Sequence, residues 1–94
     1  MKPLVLSSSF TKAFKAAVRK RPELQQKIEQ RLKLLAADPF DPILRTHKLK
    51  GQLSGAWSCT VEYDCRIVFN FVQNPESGEE EILLIDIGTH DEVY

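Results

Sequence analysis

Apolar and polar positions follow two different periods along this chain, one in each half. Phe10, Ala13, Phe14, Ala17 and Val18 recur at the i, i+3, i+4, i+7, i+8 spacing of one helix face, with Lys12, Lys15 and Arg19 opposite. Ser7-Ser8-Ser9 before them offers N-caps, because a serine hydroxyl can accept from the unpaired N–H groups of a first helical turn. Leu24, Ile28, Leu32 and Leu35 line a second helix. Pro22 suits its first turn, Glu23 complements the positive helix end, and Asp38-Pro39 ends it, since a residue before proline avoids the helical region. Helices joined this closely predict an antiparallel hairpin. Ahead of them, Pro3 to Leu6 reads as a short edge strand, where the N–H that proline lacks is not needed.

Asp38 to Thr46 carries two Asp-Pro pairs and reads as a loop. From Lys48 onward the period is two. Lys48–Leu53, Trp57–Val61, Cys65–Val72 and Glu81–Gly88 read as strands, with Asn74-Pro75 and Ser77-Gly78 turning the chain before the last. A three-residue loop Glu62-Tyr63-Asp64 pairs Val61 with Cys65, Cys59 with Ile67 and Trp57 with Phe69, which makes one apolar face for the helices to cover. The same parity assigns Leu49, Leu83, Ile85 and Ile87 to the core. The other face carries Ser58, Thr60, Arg66, Val68 and Asn70, joined by Lys48, Lys50, Ile82, Leu84, Asp86 and His90. His47 and Asp64 fall at the rim of the sheet.

Composition changes this picture in one respect. Ninety-four residues suit one domain, 1–94, and the apolar share of 43% suits a folded core. The net charge of zero argues against a polyanion partner until it is divided. Residues 1–50 hold twelve basic and four acidic side chains, a net of +8, and residues 51–94 hold Arg66 against nine acids, a net of −8. Either the halves neutralise each other in the fold, or the basic half meets an anion. No run of 18 apolar residues predicts a membrane span, and Leu4-Val5-Leu6 is too short for a signal peptide. Cys59 and Cys65 read as free thiols in a reducing compartment. His47 and His90 show no metal-ligand spacing, so no metal and no cofactor are expected.

A histidine beside a lone arginine, with lysines and a carboxylate near, suits phosphodiester chemistry. RNA cleavage without a metal needs a base for the 2′-hydroxyl, an acid for the 5′-oxygen, and cations for the phosphorane charge. Histidine donates protons near neutral pH, and arginine binds phosphate through two parallel hydrogen bonds. The alternative is that Arg66 pairs with Asp64 or Asp86, leaving His90 a surface side chain. A Cys/His nucleophile is disfavoured because Cys59 falls on the core face.

The set His47-Lys48-Leu49-Lys50-Gly51, Gly55-Ala56-Trp57, Tyr63-Asp64-Cys65-Arg66-Ile67-Val68-Phe69 and Ile87-Gly88-Thr89-His90-Asp91-Glu92-Val93-Tyr94 resembles the RelE/ParE superfamily of bacterial toxins, and within it the YafQ-like branch of messenger-RNA interferases. The resemblance runs over essentially the whole chain. It implies an α+β fold, RelE-like, with a two-helix hairpin packed on one face of a twisted, mostly antiparallel sheet in the order β-α-α-β-β-β-β. It implies a type II toxin that enters the ribosomal A site and cuts messenger RNA without a metal, leaving a 2′,3′-cyclic phosphate. His90 would be the general acid, Asp64 and His47 match acid/base positions, and Arg66 matches the phosphate-stabilising arginine. Tyr94 would stack on or orient a nucleotide, and Lys48 and Lys50 would hold RNA backbone. Thr60 stands where YafQ-like members can have another histidine, and Asp86 where several have a basic residue.

The same resemblance implies a cognate antitoxin in a possible toxin–antitoxin hetero-oligomer, the ribosome and messenger RNA as targets, and a cytoplasmic setting. An acidic, apolar antitoxin segment could lie along the basic helices. A ParE-like inhibitor of DNA gyrase shares the fold, so fold alone does not discriminate. The Gly88-Thr89-His90 ending favours cleavage, because gyrase inhibition needs no proton donor there. A third reading is an inactive partner that only sequesters an antitoxin.

Overall fold

The computed structural model describes residues 1–49 and 55–88. Within them β1 (Leu4–Leu6), α1 (Ser8–Lys20), α2 (Leu24–Ala37), a 3-10 turn (Pro42–Leu44), β2 (His47–Lys48), β3 (Trp57–Glu62), β4 (Cys65–Gln73) and β5 (Glu80–Gly88) follow in the expected order. The strands form one sheet in the order β1-β5-β4-β3-β2. β1 runs parallel to β5 at one edge, and the other neighbours are antiparallel.

Ser7 caps α1, its hydroxyl accepting from the Phe10 N–H at 3.0 Å. Ser7→Ala is expected to lower stability by about 1 kcal/mol in urea unfolding, while Ser7→Asp retains it, because both serine and aspartate satisfy a first-turn donor. Leu24, Ile28 and Leu35 are buried, as their spacing predicts. α2 begins one residue after Glu23, so Pro22 lies in the turn between the helices rather than in the first helical turn. Asp38 ends α2, its N–H donating to the Leu34 carbonyl. Phe10 and the α2 residues meet Cys59, Val61, Cys65, Ile67, Phe69, Ile82, Leu84 and Ile87 in the main core.

The central register holds: Trp57 pairs with Phe69 and Cys59 with Ile67. The loop beyond it differs from expectation. Thr60 pairs with Arg66 and Glu62 with Cys65, so the turn is two residues, Tyr63-Asp64, and a bulge at Val61 takes up the offset. The bulge lets Val61 and Cys65 stay buried while the turn tightens.

β5 corrects a larger expectation. Val68 pairs with Asp86 but Phe69 pairs with Leu84, leaving Ile85 extra. One inserted residue exchanges the faces of everything before it. Ile82 and Leu84 are therefore fully buried in the helix-covered core, while Leu83 and Ile85 are only half-buried, and Ile87 alone keeps its expected place. β2 is reversed as well. Lys48 pairs with Trp57 on the helix side, its Nζ 5.5 Å from the ring centroid. Leu49 turns to the opposite face, where it packs with Ala56, Val68 and Ile85 in a second small cluster. That cluster and the cation–π contact set the parity of so short a strand. Lys50 to Leu53, expected to extend it, lie outside the described residues.

Candidate functional site

Two neighbouring rows of side chains cross the sheet face opposite the helices. One runs His47, Ser58, Val68, Asp86, and the next runs Thr60, Arg66, Gly88. His47 and Arg66 stand two strands and one two-residue step apart, roughly 12 Å between backbones at ordinary strand spacing. The face therefore gathers His47, Thr60, Arg66 and Asp86. Lys48, expected beside them, projects from the other side of the edge strand. His90, Lys50 and Tyr94 lie outside the described residues.

Arg66 is braced at one end only. Its Nη1 donates to the Glu62 carbonyl at 2.6 Å and, more weakly, to the Cys65 carbonyl at 3.4 Å. Among the described residues no carboxylate lies within ion-pairing distance of it, so Arg66 does not pair with Asp64 or Asp86 as the alternative reading required. Asp86 instead accepts from the Ile87 N–H at 2.8 Å. A guanidinium held by neutral carbonyls keeps its full charge and offers its remaining N–H groups to an anion.

Asp64 is exposed in the β3–β4 turn, and its partner is Arg21, between the two helices. Arg21 Nη1 donates to both Asp64 oxygens, at 3.0 and 2.9 Å, and Nη2 donates to Glu62 Oε2 at 2.6 Å. Lys27 from α2 pairs with the other Glu62 oxygen. The hydrogen bond from Arg21 holds the Asp64 carboxyl below the usual carboxylate range, and Lys27 followed by Arg21 does the same for Glu62. Groups with lowered folded-state pKa favour the fold above the ordinary carboxylate range. That contribution is lost as pH falls through the lowered folded-state range. At neutral pH Asp64 is a carboxylate, suited to accepting a proton rather than donating one.

His47 is exposed, with Nδ1 3.0 Å from the Arg45 carbonyl. That contact favours a proton on Nδ1, since a carbonyl oxygen can only accept. Burial pushes the Cys59 thiol up to about 12. Burial first, then the charges of Asp64 and Glu62, push Cys65 to about 11. Neither sulfur is a thiolate nucleophile near neutral pH.

Two features were not legible beforehand. Arg21 reads in sequence as one more cation of a basic helix, and nothing in its neighbours points to residue 64. Phe40, from the loop after α2, closes an aromatic cluster with Trp57 and Phe71 at centroid distances of 5.4 and 5.9 Å. Strand parity placed Trp57 on the core face, but a loop residue such as Phe40 has no periodicity to betray it.

Comparison with known proteins identifies the family. A family described as a bacterial toxin of type II toxin-antitoxin system, YafQ, matches residues 2–94. The toxin YoeB of Synechocystis is 31% identical over 68 residues, 72% of each chain. YafQ from E. coli strain BL21(DE3) superposes with a TM-score of 0.77 at 19% identity, over 100% of this chain and 99% of that one. The E. coli DinJ-YafQ toxin-antitoxin complex superposes with a TM-score of 0.75 at 19% identity, over 99% of this chain and 97% of that one. At those identities the two solved structures speak for the fold.

Proposed function

Since the chain belongs to the YafQ family of type II toxins, in the RelE superfamily, we propose that it is a ribosome-dependent endoribonuclease that cuts messenger RNA without a metal. The observation that carries this reading is Arg66, a half-buried guanidinium on the sheet face opposite the helices with no carboxylate partner among the described residues. A scissile phosphate seated on it would develop its extra charge against a fixed cation. Gly88 is the register partner of Arg66, and His90 stands two positions after Gly88 in the sequence. His90 would then protonate the departing 5′-oxygen. Asp64, ionised at neutral pH, or His47 would take the 2′-hydroxyl proton as O2′ attacks phosphorus. The O5′–P bond breaks, leaving a 2′,3′-cyclic phosphate and a 5′-hydroxyl. Tyr94 would orient a nucleotide, and Lys50 would hold backbone phosphate. Lys48 could do so only from the helix side of the edge strand.

On the same reading the protein acts in the cytoplasm and is restrained by a cognate antitoxin, as YafQ is seen with DinJ. No described helix is long and apolar enough to cross a membrane. The test is to add purified protein to ribosomes translating a defined message and map the new 5′ ends. Discrete cuts at codons in the A site are expected, with cyclic phosphate on the upstream fragment. An intact message together with blocked gyrase supercoiling would replace this reading with the ParE-like one.

A further inference from the structure

Arg21 is fixed in place before its side chain does anything. Its N–H caps α1 by donating to the Ala17 carbonyl at 2.9 Å, and its own carbonyl accepts from Leu24 at 2.9 Å. Pro22 after it restrains its backbone to an extended conformation, φ −137 and ψ 85. From that platform every guanidinium nitrogen faces a carboxylate. Nη1 takes Asp64, Nη2 takes Glu62, and Nε lies 3.8 Å from Glu23. A planar guanidinium meets the Asp64 carboxylate with a fixed fork of N–H groups, a geometry that the rotating donors of an ammonium do not reproduce.

The β3–β4 turn is thereby gripped from two sides. Arg21 and Lys27 hold the Glu62 side chain from the helices, while Arg66 holds the Glu62 backbone carbonyl. The two site candidates on this hairpin, Asp64 and Arg66, both depend on where the turn sits. A single exposed ion pair adds little to stability, whereas a bidentate network of several charges can add some, so melting is followed beside the titration below. We propose that Arg21 is a positioning residue for RNA cleavage: it orients Asp64, and it steadies the turn that braces Arg66. This rests on the ribonuclease reading above. It adds that the junction between the helices, far from the open face in sequence, is wired to the reaction.

The other charged groups around Asp64 must be counted. Among the described residues these are Glu62 on β3, the exposed Tyr63 beside it, Cys65 and Arg66 on β4, and Lys20 and Asp86, which line the same cleft of about 540 Å³ between α1 and the sheet end. Arg66 and Lys20 remain when Arg21 is removed, so the Asp64 carboxyl should rise without being driven neutral at pH 7.

The experiment follows the Asp64 carboxyl carbon by NMR titration in wild type, Arg21→Gln, Arg21→Lys and the control Glu23→Gln, beside the pH profile of cleavage by each. Asp64 is expected to titrate higher in Arg21→Gln, with partial return in Arg21→Lys and no change in Glu23→Gln. The acid limb of cleavage should move up by the same amount in Arg21→Gln, and thermal melting should stay within a few degrees of wild type. Identical Asp64 titration in wild type and Arg21→Gln overturns the proposal. So does a shifted titration with an unchanged cleavage profile. If the wild type cuts no message, it is the ribonuclease reading that fails, and the titration still decides whether Arg21 governs Asp64.

Discussion

Arg66→Ala is expected to slow single-turnover messenger cleavage on saturating ribosomes by about 10²–10³-fold, the loss found when one preorganised donor to a developing oxyanion is removed. The expectation follows from how the side chain is held. Its hydrogen bonds go to the Glu62 and Cys65 carbonyls, so its charge is not cancelled by any described carboxylate. The loss should fall on the chemical step, because the phosphate carries more charge in the transition state than in the bound substrate. Arg66→Lys should recover only part of the rate, since an ammonium restores the charge but not two parallel hydrogen bonds. Melting of both variants should remain near wild type, because Arg66 is half-exposed and no apolar group is withdrawn from the core. Cleavage by Arg66→Ala at the wild-type rate would remove Arg66 from the reaction.

Phe69→Ala is expected to have the largest effect on stability. Phe69 is fully buried on the central strand, paired with Trp57 on one side and Leu84 on the other, with its ring edge-on to Phe71 at 5.5 Å. Replacing a buried phenylalanine by alanine costs about 3–5 kcal/mol, from lost transfer energy and the cavity left behind. A domain of this size has about 5–15 kcal/mol in total, so the variant should be partly unfolded well below the wild-type melting temperature. Phe69→Leu should cost less, because most of the volume is kept. Urea unfolding monitored by Trp57 fluorescence measures both. Cleavage by Phe69→Ala should fall only with its folded fraction, whereas Arg66→Ala should lose activity while fully folded. A Phe69→Ala protein as stable as wild type would show that this position is not central to the core.

The two kinds of misplacement in the sheet have a common origin. Alternation along Trp57–Thr60 and Arg66–Phe69 placed those residues on the correct faces, because the pairing there runs without a register shift, and the bulge at Val61 falls only at the turn. The same rule failed in β5, where Ile85 is one residue too many opposite β4. It failed again in β2, where two paired residues are too few for alternation to decide a face. An extra residue in a ladder leaves no mark in an apolar run such as Ile82-Leu83-Leu84-Ile85, since either parity looks equally buried.

The site divides along similar lines. Arg66 was legible because it is the only cation after residue 50, on a strand whose face could be counted. Asp64 was legible as a turn residue, but its orientation depends on Arg21, 43 positions earlier. His47 could be put only at the rim, and its place in the row with Ser58, Val68 and Asp86 came from pairing with β3.

By itself, then, the sequence determined the element order, the helix faces and the central register, and its motif set carried the family. These follow from local periods of 3.6 and 2, capping chemistry and residue identity, all of which act between near neighbours. Tertiary structure alone decided which half of β5 faces the helices, which side of the sheet receives Lys48, and which cation holds Asp64. Each of those depends on contacts between residues far apart in the chain, and the side chains that make them look ordinary until the strands and helices are packed together.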